Sequence, residues 1–304
     1  MDDLFGGVET GGTWCVCALG RGPGDLIAHE RFRTGEPGPT LERIAAFFDA
    51  HPAPAAIGVG SFGPVDLDPA SPHWGRVTTT PKPGWSHTPV ASVIRDRLGV
   101  PVVFDLDVTA AAMGEWRWGA GRGADVACYV TIGTGIGAGL VIGGRPLHGL
   151  VHPEPGHLRI PHDRARDPFE GSCPFHGDCW EGLASGSALA ARWRTPPQEL
   201  PDDHPAWPLE AEYIALGVLN MVLTASPERM VVGGGVMERP GLLADVRARV
   251  CALLAGYLDV PALGDAIDGY LVAPQLGDDA GVLGAIALAQ SGGHRDTLPG
   301  TLGR

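Results

Sequence analysis

Apolar residues recur at every second position through Trp14, Val16 and Ala18, with Cys15 and Cys17 turned to the other side. Period-two alternation of this kind marks a strand. The stretch "LFGGVETGGTWCVCALG" therefore reads as strand, glycine turn, strand. Leu41, Ile44, Ala45 and Phe48 instead follow helical spacing and predict a helix over Thr40 to Ala50. "AAIGVGSFGPVDLD" reads as a buried strand ending in a loop, "PVVFDLD" as another strand, and "VTAAAMGEWRWG" as a helix by composition. Its end, "EWRWGAG", fits either a hinge between lobes or an ordinary packed helix end. "DVACYVTIG" and "AGLVIGGRPLHG" predict two strands around a second glycine turn. Residues 152–181 are rich in His, Cys and Pro and predict an irregular segment. Helices follow over Leu209 to Leu223, Leu242 to Leu258 and Ala280 to Gln290, with a short apolar strand at "RMVVGGGVM". Strands alternating with helices favour α/β layers. The two units of strand, glycine turn and strand, "GVETGGTWCVCALG" and "TIGTGIGAGLVIGG", suggest two similar lobes.

The bulk numbers bound this picture. A chain of 304 residues suggests roughly two domains. Glycine (46) and proline (28) sit in short clusters, so they mark tight turns rather than disorder. A net charge of −13 argues against a nucleic-acid grip. It leaves anionic small molecules open, because backbone amides and a metal ion bind phosphate without basic side chains. The acidic "MDDLFGGVET" lacks a signal-peptide layout, and six cysteines in a chain this long form no disulfide framework. Both point to the cytoplasm. Val126 to Gly144 is uncharged and long enough for a membrane span, but six of its residues are glycine, which disfavours a helix.

The letters of Gly133, Gly135 and Ala138 fit a dinucleotide fingerprint, but a strand follows where that motif needs a helix. No Walker loop occurs. The remaining reading is a hairpin whose glycines let amides approach phosphate oxygens, with hydroxyls from Thr131 and Thr134. Gly11, Gly12 and Thr13 repeat the arrangement. Taken singly, either loop reads equally as a plain turn. Asp107 ends one strand and opens a helix, a place suited to an N-cap and also to a catalytic group. Cys173, His176 and Cys179 stand at three-residue spacing, with His152, His157 and His162 nearby. Soft and borderline ligands at this density suit tetrahedral Zn²⁺, and the segment has little apolar content to hold it otherwise. The other cysteines read as buried free thiols.

The ordered set "VETGGT", "DLDVTAAAMGE", "TIGTGIGAGLVIGGRPLHG", "PEPGH", "CPFHGDCWEG" and "VVGGGV", from about Phe5 to Gln290, resembles the ROK-family sugar kinases of the actin/hexokinase-like ATPase superfamily. "GSFGPVDL" and "TTTPKPGW" are most similar to its bacterial fructokinase subgroup. The resemblance implies a two-lobed actin-like, ribonuclease H-like α/β fold, each lobe a mixed sheet flanked by helices, with ATP between the lobes and sugar in the cleft. The lobes expected are 1–116, with a C-terminal helix around 280–304 packing back on it, and 117–279, carrying the zinc segment 152–181. Gly11, Gly12 and Thr13 match the first phosphate loop, Thr131, Gly133, Thr134 and Gly135 the second, and Gly233, Gly234 and Gly235 the adenosine-side turn. Asp107 matches the general base. Gly63, Pro81, Asp105, Glu154, His157 and Glu181 fall on the sugar side. His157 would be the fourth zinc ligand, with His152 in reserve, in a structural Cys₂His₂ site.

Three positions depart from the family pattern. Leu106 and Thr109 stand where many members have Asn, and Glu9 stands where many have Asp, able to act near the metal through water. The lost amides fit a hexose other than glucose, with Asp105 supplying part of the contact. The expected activity is ATP-dependent, Mg²⁺-assisted phosphorylation of a hexose, most of all fructose to its 6-phosphate, by a homodimer. Glucokinase, mannokinase and N-acylmannosamine kinase are the alternatives within the class. A non-catalytic ROK regulator or sugar-binding protein fits less well, given the acidic charge and the intact Asp107.

Overall fold

The computed structural model describes residues 3–292. The chain runs β1 (Phe5–Thr10), β2 (Trp14–Gly20), β3 (Leu26–Arg33), α1 (Pro37–Asp49), β4 (Ala56–Ser61), α2 (Val90–Leu98), β5 (Val102–Leu106) and α3 (Asp107–Trp118). It continues through β6 (Val126–Ile132), β7 (Ile136–Ile142), β8 (Arg145–Pro146), α4 (Trp180–Ala184), α5 (Gly186–Trp193), α6 (Ala206–Ala225), β9 (Arg229–Gly233), α7 (Leu242–Leu254), α8 (Ile267–Tyr270), β10 (Leu271–Val272) and α9 (Ala280–Gln290). Two units divide it. The first holds the chain up to Gly119, His148–His152 and the chain from Leu276; the second holds Ala120–Leu147 and Pro153–Gln275. His148–His152 thus belongs to the first unit although it lies inside the 117–279 range expected for the second lobe. Of the C-terminal stretch expected to 304, residues 293–304 lie outside the described residues.

The first unit is built on a sheet of order β3-β2-β1-β4-β5. β1 pairs antiparallel with β2 and parallel with β4; β2 pairs antiparallel with β3, and β4 parallel with β5. The alternation along β2 divides it between two cores. Cys15, Cys17 and Leu19 pack with Ile44, Phe48 and Phe104, whereas Val16 and Ala18 pack with Val282 and Ile286 of α9. Every residue of α9 from Ala280 to Ala289 is buried, as expected of a helix apolar on all sides. Glycines let it lie backbone to backbone. A Cβ on Gly58 would come 1.8 Å from the Ala285 carbonyl oxygen, and one on Gly284 would come 1.6 Å from that of Ala110 in α3.

The second unit has the order β10-β9-β6-β7-β8. β6 pairs antiparallel with β7 and parallel with β9, β7 antiparallel with β8, and β9 parallel with β10. Read from β8 inward, this is the plan of the first sheet, so the two glycine turns occupy the same place in each. The fully buried Trp180 seats α4 on α6: a Cβ on Gly217 would fall 1.9 Å from its ring. Val126 to Gly144 is two strands and a turn, and no helix among the described residues is long and apolar enough to cross a membrane. The helix expected to reach Leu258 stops at Leu254, where Ala255 and Gly256 turn to positive φ of 51° and 75°.

Candidate functional site

The first glycine loop, Gly11 to Thr13, joins β1 to β2. Each of its carbonyls is tied back. Gly11 O accepts from the Thr34 hydroxyl at 2.7 Å, Gly12 O from the Lys82 ammonium at 2.6 Å, and Thr13 O from the Thr34 amide at 3.1 Å. The Gly11 amide closes the turn onto Trp14 O at 2.9 Å. The amides of Gly12 and Thr13 have no acceptor among the described residues. A Cβ on Gly12 would meet nothing within 4 Å, so the fold itself does not require glycine there. A ligand approaching the backbone would.

The second loop, Gly133 to Gly135 between β6 and β7, repeats this economy with different donors. Gly133 O accepts from the Gly186 amide at 2.7 Å, Thr134 O from the Ser187 hydroxyl at 2.7 Å, and Gly135 O from the Gly133 amide at 2.9 Å. The amides of Thr134 and Gly135 have no acceptor among the described residues. Carbonyls drawn back and adjacent amides left forward make an anion-binding concavity. Thr131 pairs with Gly233 across β6 and β9. Gly234, at a φ of 94°, packs so tightly on Ile132 that a Cβ would fall 2.5 Å from its backbone. Gly233 to Gly235 are thereby brought beside the second loop.

The carboxyls of the first unit gather at the strand ends. Asp107 opens α3, its Oδ1 accepting from the Val108 amide at 2.7 Å. Glu9, near the end of β1, fits against α9 because residue 281 is glycine; a Cβ there would lie 2.3 Å from the Glu9 carboxyl carbon. Burial first, then the charge of Asp107, pushes Glu9 up to about 8, with Arg31 opposing. Asp105 is buried and both oxygens are engaged: Oδ1 accepts from the Leu106 amide at 2.8 Å, and Oδ2 lies 3.0 Å from His148 Nε2. His148 is raised above the ordinary histidine value by that hydrogen bond, against desolvation. Leu106 and Thr109, the positions of the missing amides, are buried, and Leu106 belongs to the core. Gly63 and exposed Pro81 lie in loops of the same unit.

In the second unit the metal candidates converge. One ligand atom each from His157, Cys173, His176 and Cys179 lie within 4.8 Å of one another. His157 Nδ1 stands 3.7 Å from Cys173 Sγ and 3.6 Å from Cys179 Sγ, and His176 Nδ1 stands 3.6 Å from Cys173 Sγ. A tetrahedral zinc with ordinary Zn–S and Zn–N bonds needs S···N separations of roughly 3.5 Å. The donor set therefore fits. His152 is elsewhere, in the first unit, its Nε2 accepting from the Val65 amide at 3.1 Å. His162 is also outside the cluster, buried between Asp178 and the Asp167 carbonyl. The turn Glu154 to His157 lies against the start of β7, since a Cβ on Gly156 would come 2.0 Å from Ile136 O. Glu181 Oε2 accepts the Ile136 amide at 3.0 Å. Glu181, the Glu154–His157 turn and the second loop thus share one corner of the unit.

Sequence reading missed Thr34, Lys82 and Ser187, which shape these loops, and His148, which holds Asp105. For one of them a signal existed: Lys82 is the sole lysine among the 22 Lys and Arg residues.

Two units of one topology, each with its hairpin turned into an amide loop, define the actin-like ATPase fold. Within that class the chain belongs to the ROK family, whose model matches residues 5–292. A fructokinase from Zymomonas mobilis is 42% identical over 94% of this chain and 96% of its own length. A fructokinase from Pediococcus pentosaceus is 36% identical, over 95% and 98%. A ROK family glucokinase from Streptomyces griseus, solved in complex with glucose and AMPPNP, matches with a TM-score of 0.76 at 28% identity, over 95% of this chain and 99% of that one.

Proposed function

We propose that this chain is an ATP-dependent hexose kinase that converts fructose to fructose 6-phosphate. The observation that carries the reading is the repeated loop. Two hairpins of equivalent topology each hold every carbonyl back and leave two adjacent amides forward, as a polyphosphate tail requires. The names of the similar fructokinases supply the sugar.

In this reading Asp107 is the general base. Its Oδ1 accepts from the Val108 amide, and in this role the carboxylate would orient the sugar hydroxyl and take its proton as the bond to phosphorus forms. Phosphoryl transfer has a loose transition state, so positioning and charge neutralisation dominate over base strength. The amides of Gly12, Thr13, Thr134 and Gly135 would bind phosphate oxygens, and Gly233 to Gly235 would flank the adenosine. Gly63, Pro81 and Asp105 on the first unit, and Glu154, His157 and Glu181 on the second, would contact the sugar, with Asp105 acting through His148. Mg²⁺ supplies charge neutralisation to the phosphates when bound. The Glu9 carboxyl, held up by burial and by Asp107, fits a place near such a cation. Zn²⁺ would be held by His157, Cys173, His176 and Cys179 and would act as a staple. Four protein ligands leave it no open position. A homodimer in the cytoplasm belongs to the same proposal and is checked by light scattering and by fractionation.

A coupled ADP-release assay over a panel of hexoses tests the reading. Fructose should give the highest kcat/KM. Turnover of none of the hexoses, with sugar binding intact, would sink it in favour of a binding protein.

A further inference from the structure

Lysine is all but excluded from this chain. Of 22 Lys and Arg residues, 21 are arginine, and the remaining one is Lys82. A composition that replaces lysine everywhere else has kept it at one place, in the loop between β4 and α2, from which it reaches the first glycine loop. The Lys82 ammonium lies 2.6 Å from Gly12 O and 3.4 Å from Thr34 O. Prolines on both sides, Pro81 and Pro83, limit its backbone. The same loop is anchored by Trp85, fully buried, whose Nε1 donates to Gly35 O at 2.9 Å. The second loop shows what the structural task alone requires. There the equivalent carbonyl, Thr134 O, is tied back by the neutral hydroxyl of Ser187. A full positive charge at Lys82 exceeds that need.

We propose that Lys82 is a catalytic residue: its ammonium holds the Gly12 carbonyl and offers its remaining N–H to the terminal phosphate of the nucleotide. An ammonium is a compact charge with three donors, able to span two carbonyls and a phosphate oxygen. A guanidinium is a planar fork suited to bidentate partners and does not fit that triangle. The other cations near this end of the sheet are committed. Arg31 and Arg33 lie over the Trp14 ring at 4.7 Å and 4.0 Å, and Arg31 pairs with Asp278 at 2.8 Å. The Asp107 carboxylate of the same unit would repel a phosphate, so the phosphate charge calls for a cation from this side as well as any metal. The inference rests on the kinase reading given above.

The sole lysine makes the test clean. Acylation with sulfosuccinimidyl acetate should modify Lys82 and the N-terminal amine, resolved by peptide mapping. ATP should protect Lys82, and ADP, which lacks the terminal phosphate, and adenosine should not. Lys82→Met should lower kcat/KM for ATP by about 10²–10³-fold, the usual effect of losing a donor to developing charge. The KM for hexose should change less than about threefold and the melting temperature little. Lys82→Arg should recover only a minor part. Equal protection by adenosine and ATP, no protection by ATP, or Lys82→Met within about threefold of wild type would overturn the proposal. Protection is read on the native chain, so a variant that fails to fold does not obscure it. ATP protection without turnover of any hexose would remove the kinase reading and leave the phosphate contact standing.

Discussion

Asp107 and Asp105 lie two residues apart at the end of β5, yet their surroundings set them different tasks. Asp105 is buried with both oxygens engaged, and Asp107 keeps one oxygen on its neighbour's amide. Asp107→Asn keeps that shape and removes the proposed proton acceptor. It should lower kcat by about 10³-fold or more, while sugar affinity measured by calorimetry stays within about threefold. A near-normal rate would reassign the base. The Asp105–His148 pair has a pH signature. The folded state raises the histidine above its unfolded value, so its stabilising effect is complete below an ordinary histidine pKa of ~6.5 and is lost as pH rises through the raised value. The stability advantage of the wild type over His148→Gln should therefore be largest in mildly acidic buffer and shrink above neutral. Parallel melting curves of the two proteins from pH 6 to 9 check this, and a constant gap would show that folding leaves the histidine's affinity for its proton unchanged.

At the scale of elements, α9 shows how much the fold depends on what is missing from a side chain. Its glycines allow contact with β1, β4 and α3 at backbone distance. Gly284→Ala would drive a methyl into the Ala110 carbonyl, and neither helix has a flexible side chain to yield. The cost should reach the upper end of the ~1–3 kcal/mol typical of overpacking, lowering the melting temperature by several degrees. Gly38→Ala, in the exposed first turn of α1 with open space around it, serves as the comparison. Most elements were legible in the chain because their periodicity was strong: the β2 alternation, the four apolar positions of α1, and the uniformly apolar α9. Two were not. β3 carries His29, Glu30, Arg31 and Arg33 on an edge of the sheet, so half-burial leaves little apolar contrast. α2 begins after a proline and carries two arginines and an aspartate in nine residues, which masks its Val90, Ala91 and Ile94 stripe. The glycine loops could be seen, but the side chains that tie back their carbonyls come from distant parts of the chain. Lys82 reaches Gly12 across 70 positions, and Ser187 reaches Thr134 across 53. Local patterning carries no record of such pairings.

For the whole molecule, the proposed zinc segment would link stability to the residues proposed to face the sugar in the second unit. Trp180 follows the last proposed ligand directly and locks into the Gly217 notch, and Glu181 follows it and holds the Ile136 amide. His157 closes the turn that lies on Ile136. Releasing the metal should therefore loosen a continuous region, residues 153–182 together with the second glycine loop, while the sheet of the first unit keeps its own core. One zinc per chain is expected from a single four-ligand site, and Cys179→Ser should lose it. Hydrogen exchange with and without a strong chelator tests the coupling. Protection should fall in 153–182 and 133–136 and stay unchanged in β1, β2 and β4. Activity should fall with it, because Glu154 and Glu181 lose their support rather than because the metal takes part in the transfer. Restoring zinc should return both protection and rate. Unchanged exchange in 153–182 after complete metal removal would show that packing around Trp180 holds the segment by itself.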